Sequence, residues 1–345
     1  MPKAPTSAIG LDLGRYALKS VLIQRKGADR YILTHYASMP LTEPPESAEV
    51  LGRQLKTLLK TMGGSAKACG IAISSPDSII RIIEQPETPP DILREALRLN
   101  GMALLNQDCK EFVLDCDEIP TLESTLEPDH RNRKRYLVGG LPRTQVSMLY
   151  QTLESSVGLA DMLQLAPICA LNAFEFAFPA VFNTQAFFLV EIGHVNSTVM
   201  VGVKRDLVLV RTIDFGGKAL MEALTGLSGE SEELVFKALE QEDEVMVEYT
   251  RVAVNALVRE IQSSIGFLEH RHEETISKVY ISGGASKSQI LLKVLGEELE
   301  LPCESWSAIS KCESTLPANR AASLIHEELD LNVACGAATE LLKGI

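Results

Sequence analysis

The stretch Ile9-Gly10-Leu11-Asp12-Leu13-Gly14-Arg15-Tyr16-Ala17-Leu18-Lys19-Ser20-Val21 decides how the rest of the chain is read. Apolar residues from Ala8 to Leu13 predict a strand, Gly14 to Tyr16 a tight turn, and Lys19 the entry to a second strand. Asp12 falls inside the apolar run, where a carboxylate is costly to bury unless something pairs with it. Turn amides able to converge on an anion, a carboxylate placed for a metal ion and a nearby Lys together suggest a phosphate site. A purely structural hairpin, with Asp12 accepting turn N–H groups, accounts for this segment about as well. Its partners must therefore be sought further along the chain.

The 345 residues suffice for two domains, each with its own core. Hydrophobic residues make up 46% and aromatics 5%, so the core is aliphatic and the composition that of a soluble protein. No apolar run approaches a bilayer span, and Met1 to Ser7 lacks the apolar core of a signal peptide. A cytoplasmic protein is expected, with membrane contact peripheral or through a partner. Seven cysteines are scattered without a C-x-x-C pair, which fits reduced, mostly buried thiols. A net charge of −13 argues against general nucleic-acid binding.

After the opening hairpin, Arg30 to Met39 alternates like a third strand, and Val50 to Met62 repeats at helical spacing up to Gly63-Gly64. Cys69 to Ser74 and Ser78 to Glu84 read as the next strands of a mixed sheet. Pro86, Pro89 and Pro90 mark a boundary, and Asp91 is expected to cap a helix running to Leu105. Strands at Phe112 to Cys116 and Arg135 to Leu141, then a helix from Val146 to Val157, make residues 85–164 an inserted α+β unit. The basic run His130 to Arg135 lies in its hairpin loop, where a solvated face is the simpler reading and contact with anionic lipid or an acidic segment the sharper one.

A helix then begins at Ala166, and the opening pattern returns. Phe187-Phe188-Leu189-Val190-Glu191-Ile192-Gly193 is again strand, acid and Gly turn, followed by strands at Ser197 to Val203 and Leu207 to Thr212. This partial repeat implies a duplicated architecture. Gly216-Gly217 opens a helix with bare backbone at its N-terminus, a kind of end that binds anions. An acidic segment from Gly229 to Glu248 and one long helix from Val247 to Glu269 follow. His270 and His272, two residues apart, point to different faces, so no metal site is expected there. Lys278 to Ser282 is a strand ending in Gly283-Gly284, before a helix from Lys287 to Leu299. Asn332 to Leu342 closes the chain as a helix, and Gly336 within it calls for tight packing.

Strand–Asp–Gly turn, strand–Glu–Gly turn and strand–Gly-Gly–helix, in this order and spacing, resemble the actin-like ATPase superfamily. Arg211 to Gly217, Glu260 to Ile265 and Ile281 to Ala285 make the chain most similar to the PilM family of type IV pilus assembly proteins, itself similar to FtsA. The resemblance implies an α/β actin-like fold of two duplicated mixed-sheet domains around a nucleotide cleft. Residues 1–84 would form the first domain, with 165–183 and the helix 332–345 packing back. Residues 85–164 would be the inserted subdomain, and 184–331 the second domain, including a small acidic helical subdomain at about 225–250.

The resemblance further implies ATP and Mg²⁺. Asp12 would hold the metal through water, and Gly14, Arg15, Tyr16 and Lys19 would meet phosphates. Glu191, Gly193, Asn196, Ser197 and Thr198 would form the second phosphate turn. Gly216, Gly217, Gly283, Gly284 and Ala285 would line the nucleoside side. No catalytic base stands out, so slow hydrolysis at most is expected, and the implied role is a scaffold. Its partner would be the N-terminal cytoplasmic peptide of a PilN-like inner-membrane protein, bound beside the insertion at the cytoplasmic face, and self-association is left open. Arg15-Tyr16-Ala17 replace the small hydroxyl residues usual in the first turn, and in the second Glu191 replaces the usual Asp and His194-Val195-Asn196 the common small-residue sequence. Two alternatives stay open: a nucleotide-free adaptor of the same fold, and a small-molecule kinase on it.

Overall fold

The computed structural model describes residues 5–41, 45, 47–120, 133–156 and 160–343. Its elements run β1 (Ser7–Leu13), β2 (Ala17–Lys26), β3 (Arg30–Pro40), α1 (Ala48–Met62) and β4 (Ala68–Ile73). β5 (Ile79–Pro86), α2 (Pro90–Leu99), α3 (Gly101–Leu105), β6 (Phe112–Glu118), β7 (Arg133–Pro142) and α4 (Arg143–Ser156) come next. β8 (Met162–Leu165), α5 (Ala166–Ala177) and α6 (Pro179–Thr184) lead into β9 (Ala186–Ile192), β10 (Ser197–Val203) and β11 (Asp206–Ile213). Then follow α7 (Gly217–Ser228), α8 (Glu232–Glu240), α9 (Glu244–Ala253), α10 (Asn255–His272), β12 (Val279–Ser282), α11 (Gln289–Leu299) and β13 (Cys303–Ser305). The chain ends with β14 (Glu313–Ser314), α12 (Ala318–Glu327) and α13 (Asn332–Lys343).

The duplication inferred from sequence is visible in the sheets. One has the order β14-β3-β2-β1-β4-β8, the other β11-β10-β9-β12-β13. In each, an antiparallel hairpin (β1–β2, β9–β10) is flanked by a parallel strand (β4, β12) on the first strand's free side. The hairpins leave their turns, Gly14–Tyr16 and Gly193–Asn196, at corresponding ends.

Several expectations are corrected. Ser78 to Glu84 does not continue the first sheet: β5 pairs with β7 in a separate three-stranded sheet, order β5-β7-β6, which is the insertion. β8, expected in the insertion, joins the first sheet beside β4, and β14 crosses back to pair with β3. Asp91 is not a cap. Pro90 at the first helical position already has its fixed φ and no amide to satisfy, so α2 starts there and Asp91 lies in the first turn. Asn100 separates α2 from α3, and Val254 separates α9 from α10, so neither long helix is continuous. α11 starts later than Lys287: Gly284–Lys287 forms a 3-10 turn, and Ser288 accepts from the Leu291 amide as the cap. In the basic run, residues 130–132 lie outside the described residues.

The closing helix α13 lies against the first sheet, and glycine makes it possible. Gly10 and Gly70 face each other on β1 and β4. A Cβ on Gly10 would lie 1.9 Å from the Ala334 carbonyl oxygen, and one on Gly70 2.4 Å from that of Ala337. α13 thus lies with its backbone on the sheet. Among the described residues no helix is long and apolar enough to cross a membrane.

Candidate functional site

The register of the first hairpin sets Asp12 opposite Lys19, so both side chains leave the same face. Lys19 Nζ donates to Asp12 Oδ2 at 3.2 Å. Asp12 is 3% exposed, and its Oδ1 is buried with no hydrogen-bond partner among the described residues. Burial pushes the Asp12 carboxyl above its ordinary range, Lys19 opposes this, and Asp330 adds to it. Burial alone would lower Lys19, but Asp12, Asp330 and Glu191 outweigh it and hold the ammonium above its usual value.

Glu191 reaches the same place from β9. It pairs with Thr198 on β10 and Ser282 on β12, and the Ser282 hydroxyl donates to its Oε2. Some of its surface stays open to the cleft, yet it is deep enough that burial dominates. Its carboxyl is raised to about 7, with Ser282 and Lys19 opposing and Asp12 and Asp330 reinforcing. A carboxyl poised there takes up or releases a proton at neutral pH. Two carboxylates and a lysine from the two duplicated hairpins therefore meet, and a third carboxylate, Asp330, belongs to the same field.

The turns explain their glycines. Gly193 N–H donates to the Asn196 carbonyl at 3.1 Å, and a Cβ on Gly193 would sit 2.7 Å from that oxygen. Gly283, at φ +93°, is pressed against the Ile192 carbonyl, where a Cβ would come within 2.1 Å. Gly283, Gly284 and Ala285 thus stand directly beside the Glu191 strand.

The expectation of free amides at the start of α7 is not met. Gly217 N–H donates to the Gly193 carbonyl at 2.8 Å and Lys218 N–H to the His194 carbonyl at 2.9 Å. These two donors brace the second turn. Ser197 is likewise committed inward: fully buried, its hydroxyl donates to the Phe215 carbonyl at 2.6 Å. Arg15 and Tyr16 are exposed at the mouth. The Tyr16 ring packs on His194, centroids 5.3 Å apart, so the two turns touch at their tips. Burial lowers the His194 pKa, and Lys218 and Arg15 lower it further, which places three nitrogenous groups together at the mouth.

Sequence reasoning missed four residues here. Ser282 was read only as the end of a strand, and His194 only as a departure from pattern. Asp330 and Lys287, joined by an ion pair, tie the segment before α13 to the Gly284–Lys287 turn. Nothing marks Asp330 among its acidic neighbours, because its position depends on how the last helix folds back.

The residues present fit a hydrated divalent cation bound with a polyphosphate. Asp12 Oδ1 is an orphaned acceptor, and Lys19, Arg15 and Lys218 supply the positive side. Among the described residues no cluster of three or more His, Cys, Asp or Glu side chains forms a metal cage, so a cation here would need ligand oxygens and water as well.

The profile of the family described as "Type IV pilus assembly protein PilM" matches residues 10–341. A comparison with curated proteins gives no match. Among solved structures, the chain is similar to the PilM-PilN type IV pilus biogenesis complex, at 22% identity over 97% of this chain and 98% of that one, TM-score 0.79. It is also similar to the ethanolamine utilization protein EutJ from Carboxydothermus hydrogenoformans, at 13% identity over 100% and 92%, TM-score 0.55. The fold is the actin-like ATPase fold.

Proposed function

The chain belongs to the PilM family of type IV pilus assembly proteins, and from that premise we propose that it is a nucleotide-binding scaffold at the cytoplasmic face of the inner membrane. Its partner is the N-terminal cytoplasmic peptide of a PilN-like membrane protein, and its ligand is ATP with Mg²⁺. The similarity to a PilM-PilN complex over nearly the full length supports the partner. The peptide is received beside the insertion. There an open cavity of roughly 320 Å³ is bordered by Asp91, Arg94, Glu95, Arg98, Phe112 and Arg143, and β6 is an edge strand of its sheet among the described residues.

The observation that carries the nucleotide reading is the orphaned Asp12 Oδ1, held by Lys19 between two phosphate-type turns. Asp12 would hold a hydrated Mg²⁺ through its water, and Lys19 and Arg15 would meet the phosphates. Calorimetric titration of the apo protein with Mg-ATP tests this. Asp12→Asn keeps the shape of the side chain, and is expected to weaken Mg-ATP binding by at least about tenfold, the equivalent of one charge-assisted contact. Binding of a PilN-type peptide should be unaffected. Equal nucleotide affinity in the two proteins would sink the assignment.

A second reading, an adaptor that no longer binds nucleotide, is favoured by one observation: the Tyr16–His194 contact spans the mouth. Tyr16 is 63% exposed, so Tyr16→Ala should leave the melting temperature within about 1 °C. On the first reading it opens the mouth and leaves Mg-ATP binding equal or tighter. If neither the parent nor Tyr16→Ala gives heat or a thermal shift at millimolar Mg-ATP, the adaptor reading stands.

A further inference from the structure

Arg135 was read from sequence as part of a solvated basic loop, and the structure puts it elsewhere. It is the third residue of β7, its side chain is 8% exposed, and its guanidinium is spent on the second domain. Nη1 pairs with Asp206 Oδ1, whose side chain is 1% exposed, and Nη2 donates to the Leu207 carbonyl at 2.7 Å. One fork therefore holds the first two residues of β11.

The β10–β11 hairpin is shaped for this grip. Lys204 and Arg205 form its tip with φ +49° and +77°, a left-handed pair that turns the chain back within two residues and delivers Asp206 to the insertion. Beside the pair lies His272, the last residue of α10. Its Nδ1 is buried with no hydrogen-bond partner among the described residues, and its charged neighbours are Arg135, Asp206, Arg271 and Glu274. Three elements from two domains converge on one buried charge pair.

A buried ion pair seldom adds net stability over apolar packing, and its better-attested use is to fix which surfaces register. Here it joins the insertion to the strand pair whose opposite end carries Ser197 and Thr198 of the second phosphate turn. β10 runs from one to the other, its end at the latch and its start at the cleft.

We propose that the Arg135–Asp206 fork is a latch that makes the inserted subdomain move with the second domain, so that occupancy of the cleft is transmitted along β10 and β11 to the insertion. The transmission rests on the nucleotide reading above, whereas the latch itself does not.

The test uses the full chain with Arg135→Met and Asp206→Asn together, which removes both charges and leaves no lone buried ion. Amide hydrogen exchange is followed in the apo protein and with Mg-ATP. Exchange over residues 79–86 and 133–142 of the apo double variant is expected to be at least tenfold faster than in the parent. With Mg-ATP, both proteins should slow at 186–203, but only the parent should slow at 79–86. Parent-like exchange in the insertion of the double variant overturns the latch. Should Mg-ATP change nothing in the parent, the nucleotide reading fails, and the apo comparison alone decides the latch. If the double variant does not fold, Arg135→Lys keeps the charge but loses the fork. It should then show faster exchange at 133–142, and unchanged exchange overturns the proposal.

Discussion

Replacing Gly336 by alanine is expected to be the most damaging single-methyl change in the chain. A Cβ there would lie 1.8 Å from the Cys169 carbonyl oxygen, 2.7 Å from its carbon and 3.0 Å from the Ala173 amide nitrogen. Every one of these atoms is backbone of α5, so no side chain is available to swing away. Ordinary overpacking costs about 1–3 kcal/mol. Here two helices must separate, and α13 is already fixed on its other face against Gly10 and Gly70 of the sheet. A loss of about 3 kcal/mol or more is expected, a fall of roughly 4 °C or more in melting temperature for a chain of 345 residues. Gly266→Ala is the control. It sits inside α10 with nothing within 4 Å of its added methyl, so relief of the glycine penalty should stabilise by about 0.5–1 kcal/mol. Calorimetric melts of the two variants should move in opposite directions. A Gly336→Ala protein melting within about 1 °C of the parent would mean that α5 and α13 do not approach as closely as described.

That contact also shows what the sequence could and could not disclose. Gly336 stood out locally, because a glycine inside an apolar helical repeat needs a reason. Which helix it met was invisible, since α5 lies more than 150 residues upstream and only the tertiary fold brings them together. The two hairpins were legible for the same local cause: alternation, an acid and a glycine turn lie within about a dozen residues each. Ser78 to Glu84 reads equally well as a strand of either sheet, and only its pairing with β7 assigns it. The helix breaks at Asn100 and Val254 were missed because neither residue is a strong breaker.

Within the site, legibility followed the same rule. Asp12 and Lys19 are cross-strand neighbours in one hairpin, so sequence spacing predicted their meeting. Arg135 was misread because charge runs are usually solvated, and its partner Asp206 lies 71 positions away. The glycines of the turns stood out in the sequence, and the packing supplies an internal reason for them. Gly216 abuts the carbonyl oxygens of Gly193 and His194, with a Cβ meeting them at 2.7 and 2.6 Å, and this packing shapes the turn whether or not a phosphate binds.

The acidity of Glu191 gives the second large effect. Its carboxyl is raised from an ordinary 4.5 to about 7, chiefly by burial. For a carboxyl raised on folding, the neutral form is the one the native state prefers. The stability it contributes is fully present below about pH 4.5 and is lost as pH rises through about 7. A shift of that size corresponds to about 3 kcal/mol at most between those limits, reduced by the share of Glu191 that still sees solvent. Glu191→Gln fixes the neutral form, and its amide oxygen still accepts from Ser282. Near pH 4 the variant and parent should therefore melt together, and at pH 8 the variant should melt several degrees higher. Carboxylates outside the field of Asp12, Lys19 and Asp330 cancel in this difference. Binding of Mg-ATP should reverse the preference, because a divalent cation in the cleft stabilises the ionised carboxylate. Binding below pH 7 is then expected to release a fraction of a proton, read as a dependence of the binding heat on the ionisation enthalpy of the buffer. Glu191→Gln should abolish that dependence. A constant melting difference from pH 4 to 8, with no buffer dependence in the parent, would show that Glu191 is ionised throughout and lies outside the field of Asp12 and Asp330.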